Sequence, residues 1–207
     1  MADAMPTERA SIRVRLADPQ QDGAGVAEVY RPAIETSVAS FEAVAPGADE
    51  MAERIGQVLK GHPWLVAVDG AEVVGYAYAS RHHDRAAYRW SVEVSAYIHA
   101  AWQRRGIGRR LYQWLFEALR AQGFVNVYAG MTLPNEGSLR LHRSFGMEEI
   151  GVYRDVGYKF GRWHDVAWYG MRLQEPADPP DEPVLLPGFL SSAAGQNWLD
   201  RMAAPCP

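Results

Sequence analysis

The chain has 207 residues, of which 48% are hydrophobic and 22% charged, a composition typical of a globular protein with a sizeable core. Its formal net charge of -4 at pH 7 argues against a general nucleic-acid binder, which would be basic. The single cysteine, Cys206, excludes an internal disulfide framework and a cysteine-based metal site, and its place next to the last residue argues against a thiol nucleophile.

The N-terminal sequence MADAMPTERA lacks the basic stretch and apolar run of a signal peptide. No segment approaches about 18 uninterrupted apolar residues, the length that predicts a membrane span. We therefore expect a cytoplasmic enzyme or binding protein with no nucleic-acid or membrane partner. Residues 1–10 are expected to form a loose leader ahead of the first regular element.

Periodicity in the first half of the chain predicts one strand, two helices and a β-hairpin. In chain order they occupy residues 11–16, 22–35, 49–60 and 63–80. Asp49 is a candidate N-cap for the second helix. The two β-rich runs of the hairpin flank Asp69-Gly70, which is a strong turn signal.

The second half predicts a longer strand over 88–98, the main helix directly after it, and a short strand over 124–130. A short helix then ends at Gly146, and two strand-like runs flank Gly161. Residues 175–207 are Pro-rich and poorly periodic. We expect them to form a tail that packs on the surface or is partly disordered.

The predicted order is β-α-α-β-β-β-α-β-α-β-β, which indicates a single α/β domain over residues 11–174. Its central sheet is expected to be mixed and mostly antiparallel, with flanking helices. The strand–helix–strand unit at 88–130 should form a right-handed parallel crossover. Such a sheet has a crevice where a ligand can enter beside the N-terminus of the helix.

Arginines crowd the start of the main helix, whose apolar stripe runs from Ile107 to Ala118. They are Arg104, Arg105, Arg109 and Arg110. The N-terminal end of a helix already carries the positive pole of its dipole, so each cation there costs roughly 0.3–1 kcal/mol. A bound anion would remove the conflict, because free N–H groups, guanidinium groups and the accessible backbone of Gly106 and Gly108 together make a phosphate site. The alternative is a solvated, Arg-rich helix start.

Three separated motifs carry a family resemblance: SVEVSAYIHAAWQRRGIGRRLY, LPNEGSLRLHRSFGM and VGYKFGRWHDVAWY. Within the first, QRRGIG resembles the Gln/Arg-x-x-Gly-x-Gly/Ala loop of the GNAT superfamily of acyl-CoA-dependent N-acetyltransferases. The three motifs in this order are similar to the phosphinothricin N-acetyltransferase family, over about Ile12 to Leu173. The resemblance implies a GNAT-like fold and an enzyme that acetylates the amino group of a small amino-acid-like substrate such as phosphinothricin, with acetyl-CoA as co-substrate.

The resemblance also implies which residues bind acetyl-CoA. Amides of the glycine loop would cradle the pyrophosphate, and the strand edge at 95–97 would pair with the pantetheine arm and contribute to an oxyanion hole. Asn135 would contact the same arm, in addition to a plain role as a helix N-cap. The full set is Ser95, Ala96, Tyr97, Gln103, Arg104, Arg105, Gly106, Ile107, Gly108, Arg109, Asn135 and Ser138.

Glu93 and His142 are the candidate catalytic residues. An amine must lose a proton before it attacks, and a nearby carboxylate can accept that proton. Alternation along RWSVEVSAYI puts Glu93 on the more polar face of its strand with Ser95 and Tyr97, where an exposed structural glutamate is the simpler interpretation. The resemblance implies instead that Glu93 is the base. It also implies that His142 stands where many superfamily members have the tyrosine that protonates the thiolate; whether His142 acts as acid or base stays open.

The resemblance places substrate-binding groups in and near the loop SRHHDRAAYRW. His83 and Arg85 take the positions of basic residues that approach the phosphinate or carboxylate, and Phe41 and Tyr97 would wall the pocket. The paired histidines can suggest a metal site, but no third ligand follows at a sensible spacing, so no metal is expected. The segment KFGRWHD lies near the subunit interface in the family's dimers, which implies a homodimer.

Three alternatives stay open. The first is an acetyltransferase for methionine sulfone, methionine sulfoximine or another small amine. The second is a non-catalytic acyl-CoA-binding module, against which the presence of both Glu93 and His142 argues. The third is an acetyltransferase for protein N-termini or ribosomal proteins, which would need a more open groove than the aromatic, basic loop suggests.

Overall fold

A computed structural model describes residues 12–203 and contains seven strands and six helices in that range. The strands are β1 (Arg13–Leu16), β2 (Trp64–Asp69), β3 (Glu72–Arg81), β4 (Ser91–Ile98), β5 (Asn126–Thr132), β6 (Glu148–Lys159) and β7 (Arg162–Arg172). The helices are α1 (Pro19–Glu35), α2 (Ala48–Val58), α3 (Ile107–Ala121), α4 (Glu136–Arg143), α5 (Leu186–Leu190) and α6 (Ala193–Ala203). The expected leader at 1–10 and Cys206 lie outside the described residues.

All seven strands form one sheet in the order β1-β2-β3-β4-β5-β7-β6. Every neighbouring pair is antiparallel except β4 and β5, which are parallel and joined through α3. This confirms the mixed, mostly antiparallel sheet with flanking helices. The hairpin turn at Asp69-Gly70 is also confirmed, with Gly70 at φ +57°.

The two faces of the sheet bury different helices because side chains alternate along each strand. On one face, the apolar stripe of α3 packs on Leu65, Ala77 and Val94. On the other face, α1 and α2 pack on Trp64 and Tyr76.

The parallel pair β4–β5 separates part of the way along its length. The ladder runs from Ser91 opposite Asn126 to Glu93 opposite Tyr128, and it ends there. Both strands continue, β4 to Ile98 and β5 to Thr132, so a gap opens in the middle of the sheet. Glu93 therefore lies at the vertex of this gap.

The C-terminal tail is not confirmed as predicted. Residues 186–203 contain two helices, and Leu186, Phe189, Trp198 and Met202 are buried in the same core as α3. The indole Nε1 of Trp198 donates to the carbonyl of Trp114. Pro and Gly lower the intrinsic helix propensity of this segment, so its helices depend on packing that local periodicity does not reveal.

Two predicted element starts are also corrected. Asp49 is not the N-cap of α2, because Gly47 takes that position and Asp49 lies in the first turn, where its charge favours the helix dipole. The strand expected from Tyr88 begins at Ser91, since residues 86–88 form a short 3₁₀ turn. Among the described helices, none has the length and apolar composition needed to cross a lipid bilayer.

Candidate active site

A cavity of about 690 Å³ occupies the gap between β4 and β5. Its walls come from the end of α1 and the loop after it, the exposed part of β4, the start of α3, and α4. Apart from Arg105, every predicted cofactor-binding residue lines this cavity, together with His142: Ser95, Ala96, Tyr97, Gln103, Arg104, Gly106, Ile107, Gly108, Arg109, Asn135 and Ser138. The guanidinium group of Arg105 lies instead over the ring of Trp102, 4.6 Å from its centroid.

The N-terminus of α3 opens on this cavity. Its N-cap is Gly106, at φ +77°, which has no side chain to accept from the first N–H groups of the helix. Arg104 also has a positive φ of +61°, a strained conformation for a residue with a long side chain. Free N–H groups, the positive end of the dipole and nearby arginines make this end of the cavity suited to an anion.

Asn135 begins α4 as predicted, since its Oδ1 accepts from the backbone N–H of Ser138 at 3.2 Å. The imidazole of His142 lies one turn further along and is buried. Its Nδ1 lies 2.7 Å from the carbonyl oxygen of Ser138. A carbonyl only accepts, so Nδ1 carries the hydrogen and Nε2 of the neutral ring carries the lone pair.

The lone pair of His142 Nε2 faces the hydroxyl of Tyr112, 3.0 Å away, which therefore donates to it. Burial lowers the pKa of His142, against the opposing effect of its hydrogen bond to Ser138, and burial raises the pKa of Tyr112. Both groups are therefore neutral near pH 7. Tyr112 also lines the cavity, and because it lies on the buried stripe of α3, its sequence position resembles that of an ordinary core residue.

Glu93 is partly exposed, at 32% of its side chain, and its Oε1 lies 2.9 Å from Nδ1 of His82. The cavity lining begins at its neighbour Val94, so Glu93 borders the cavity without lining it. Glu93 shares a strand face with Ser95 and Tyr97, which face the α1–α2 side, where the ring of Tyr97 contacts Tyr30. His142 approaches from the α3–α4 side. The two predicted catalytic groups are thus on opposite faces of the sheet, and the β4–β5 gap connects those faces.

Most of the expected substrate-binding residues do not line the cavity. Tyr97 lines the cavity, whereas Phe41, His83 and Arg85 lie outside its lining. The ring of His83 lies tilted against the ring of His82, with centroids 4.0 Å apart. Arg85 is exposed immediately before the 3₁₀ turn. In residues 12–203 no group of three or more His, Cys, Asp and Glu side chains is arranged to hold a metal ion.

The loop after α1, at 36–42, is held by distant residues that sequence reasoning did not identify. Nζ of Lys159, at the end of β6, donates to the carbonyl oxygens of Ile34 and Ser40 at 2.6 and 2.7 Å. The ring of Phe41 packs so closely on Gly157 that a Cβ there would lie 2.2 Å from its Cε2. No local pattern could reveal these contacts, because 119 residues separate Lys159 from Ser40.

Comparison with known proteins agrees with this geometry. The acetyltransferase (GNAT) domain model matches residues 17–168. The chain is 38% identical over 181 residues to phosphinothricin N-acetyltransferase of Streptomyces viridochromogenes, covering 87% of this chain and 98% of that protein. It is 34% identical over 169 residues to the L-methionine sulfoximine/L-methionine sulfone acetyltransferase of Salmonella typhimurium, covering 81% and 98%.

A solved structure shows the same fold. It is a GNAT superfamily phosphinothricin acetyltransferase from Sinorhizobium meliloti in complex with AcCoA. The TM-score is 0.77 at 32% sequence identity, over 85% of this chain and 98% of that one.

Proposed function

Because the chain belongs to the GNAT acetyltransferase family, we propose that it transfers an acetyl group from acetyl-CoA to the amino group of a small amino-acid-like substrate. The observation that carries this proposal is the cavity in the β4–β5 gap. One end offers the open N-terminus of α3 to an anion, and the other end borders the carboxylate of Glu93. A polyanionic cofactor and an amine thus meet in one channel through the sheet.

The residues of the cavity fit acetyl-CoA, whose thioester supplies the activated acetyl group. Gly106 and the N–H groups that follow it would hold the pyrophosphate, with Arg104 and Arg109 balancing its charge. The edge of β4 beyond Glu93 is free of the β5 ladder, so its backbone at 95–97 can pair with the pantetheine arm and contribute an oxyanion hole.

We assign the acid side of the reaction to the Tyr112–His142 pair. The departing thiolate needs a proton, which the hydroxyl of Tyr112 at the cavity wall would give by turning from Nε2 of His142 to the sulfur, and water would then return a proton to the tyrosinate. The imidazole of His142, fixed by Ser138, orients that hydroxyl. Glu93, on the other face, takes part in removing the proton from the amine.

We propose phosphinothricin as the first substrate to test, because the protein from Streptomyces viridochromogenes carries that name and is similar over most of this chain. Methionine sulfoximine and methionine sulfone are the second candidates, on the relative from Salmonella typhimurium. Tyr97 on β4 and Phe41 in the loop after α1 would wall the acceptor site, and His83 and Arg85 would attract its anionic groups.

The experiment is steady-state release of thiol from acetyl-CoA with phosphinothricin, methionine sulfone, methionine sulfoximine and an alanine-terminated peptide, in parallel. We expect turnover with the amino-acid analogues and the highest kcat/KM for phosphinothricin. A higher kcat/KM for the methionine analogues would reassign the substrate within the class. Turnover of the peptide alone, or binding of acetyl-CoA without thiol release from any amine, would contradict the proposal.

We further propose that the protein is a cytoplasmic homodimer. The hairpin of β6 and β7 carries exposed apolar side chains, a pattern typical of an interaction surface. They are Ile150, Tyr153, Val156, Tyr158, Phe160 and Trp163. The mass of one chain is 23.0 kDa, and light scattering of the wild type should give twice that mass. A Trp163→Asp variant should shift towards the monomer. A wild-type monomer at micromolar concentration would contradict this.

A further inference from the structure

We propose that the base of the reaction is the imidazole of His82, with Glu93 as the carboxylate that orients it. The inference rests on the proposed function and names the atom that receives the proton of the amine. It reverses the simpler assignment, in which the carboxylate of Glu93 takes that proton itself. The contact that suggests it is the 2.9 Å distance between Nδ1 of His82 and Oε1 of Glu93.

This contact sets the tautomer of the ring. A carboxylate accepts hydrogen bonds and cannot donate them, so Nδ1 of His82 carries the hydrogen. Nε2 then carries the lone pair, and it has no hydrogen-bond partner within residues 12–203. In hydrolytic triads an imidazole is activated in the same way: a carboxylate holds Nδ1–H, and Nε2 is free to accept a proton.

Packing holds the ring at the vertex of the gap. Tyr128, which lies opposite Glu93 in the β4–β5 ladder, lies against the His82 ring with centroids 4.5 Å apart. Tyr88 and Trp168 meet the ring edge-on, at 5.9 and 6.4 Å. Only 18% of the His82 side chain remains exposed, so few orientations are open to it.

The same aromatic cluster reaches the cavity. Trp168 packs on Gly130, where a Cβ would lie 3.3 Å from the indole, and Gly130 lines the cavity wall on β5. On the β5 side, the side chain of Trp168 thus separates His82 from the cavity. On β4, Glu93 is the neighbour of the lining residue Val94. An amine at the vertex would lie beside both members of the pair.

Charged and titratable groups surround the ring of His82. Glu93 is the acidic group in contact with it, and the other titratable side chains that meet the ring are His83, Tyr88 and Tyr128. Arg81 and Asp84 of the same loop form their own pair at 3.7 Å. An imidazolium ring at this place would therefore face the carboxylate of Glu93.

The proton step is then complete in itself. An N–H bond of the substrate ammonium breaks, the proton forms a bond to Nε2 of His82, and the electron pair stays on the nitrogen that attacks the acyl carbon. Glu93 balances the charge of the imidazolium through the existing Nδ1–H bond. The proton leaves to water in the next step, which returns the ring to its starting tautomer.

The first test compares His82→Asn with Glu93→Gln in the full chain. Asn keeps a donor near Oε1 of Glu93 but removes the basic Nε2. We expect kcat to fall about 10²–10⁴-fold in His82→Asn and the acidic limb of the kcat/KM–pH profile to disappear. The affinity for acetyl-CoA, measured by calorimetry, should stay within about twofold. Because the pair acts as a unit, the double variant should be no slower than the slower single variant.

Asp84→Asn, in the same loop and fully exposed, is the matched control and should keep kcat within about twofold. Near-normal kcat in His82→Asn together with loss in Glu93→Gln would make Glu93 the base and overturn the inference.

A second measurement does not depend on turnover. Nitrogen NMR of the His82 ring in the free wild-type protein should show hydrogen on Nδ1 and a lone pair on Nε2. The opposite tautomer would overturn the inference even in an active enzyme. Absence of thiol release from the wild type would contradict the proposed function, and the NMR result would still decide the state of the ring.

Discussion

At the start of α3, Gly106 combines an unusual backbone conformation with a place at the end of the cavity that we propose holds the phosphates of acetyl-CoA. Its φ of +77° lies in the left-handed region, yet open space surrounds the position where a Cβ would stand. A side chain here would therefore act through backbone strain and through charge, and the two effects can be separated by a pair of variants of equal size.

We predict that Gly106→Asp weakens acetyl-CoA binding at least tenfold more than Gly106→Asn. Asp and Asn tolerate the left-handed region about equally, but only the carboxylate repels the phosphates. Calorimetric Kd values for acetyl-CoA check this, with thermal melts to compare folding. Equal losses in the two variants would mean that strain, and not anion binding, explains the glycine.

The Tyr112–His142 contact supplies a second test at the scale of single residues. We predict that Tyr112→Phe lowers kcat about 10²–10⁴-fold, the range for a general acid, because it removes the hydroxyl proton without removing the ring. The KM for acetyl-CoA should change little. Stability should fall by about 1–3 kcal/mol, since His142 Nε2 loses its partner in a buried place. Full activity in this variant would leave the acid role to another group.

At the scale of elements, the end of β6 positions the loop that follows α1. Lys159 donates to one carbonyl oxygen near the end of α1 and to one within this loop, and Gly157 makes room for the ring of Phe41. Residues 36–39 of the same loop line the cavity. The position of this wall of the cavity therefore depends on a hairpin far away in the sequence.

We predict that Gly157→Ala raises the KM for the amine more than fivefold, because the new methyl group must displace Phe41, while acetyl-CoA affinity is unchanged. Overpacking of this kind also costs about 1–3 kcal/mol of stability. Gly151→Ala is the control, since it lies in the same strand and its added Cβ would meet nothing within 4 Å. The prediction fails when both variants show the same KM.

At the scale of the whole molecule, the imidazole of His62 makes folding sensitive to acid. It stacks on Phe124 between two connecting loops, with centroids 5.3 Å apart. Burial first, and then the charge of Arg81, lower the pKa of His62 to about 4. In the unfolded chain the pKa of histidine is near 6.5, so the unfolded state binds more protons between these values.

The unfolding free energy that depends on neutral His62 is therefore lost as pH drops from about 6.5 to 4, and it is retained above that window. We predict that this group costs the wild type about 2–3 kcal/mol of unfolding free energy between pH 7 and pH 4.5. His62→Phe keeps an aromatic ring on Phe124 but has no group to protonate. Between pH 7 and pH 4.5 its unfolding free energy should therefore fall by about 2–3 kcal/mol less than that of the wild type. Urea unfolding at both pH values measures the difference, and equal losses in the two proteins would contradict the assignment.

Much of the fold could be predicted from the sequence, because its signals are local. The stripe from Ile107 to Ala118 predicted the buried face of α3, and Asp69-Gly70 predicted the first hairpin. The cluster of arginines and glycines at 104–110 likewise predicted an open helix N-terminus, which the structure places at one end of the cavity.

The sequence by itself thus determined most of the elements before residue 175 and the open, arginine-rich N-terminus of α3, since spacing and turn chemistry act within a few residues. Only the tertiary structure decided that Glu93 pairs with His82, that Lys159 holds the loop after α1, and that Trp198 packs beside Trp114 across 84 residues of chain. Such contacts depend on which surfaces meet when the sheet and helices pack. Periodicity along the chain reports which face of an element is buried, but not what it is buried against.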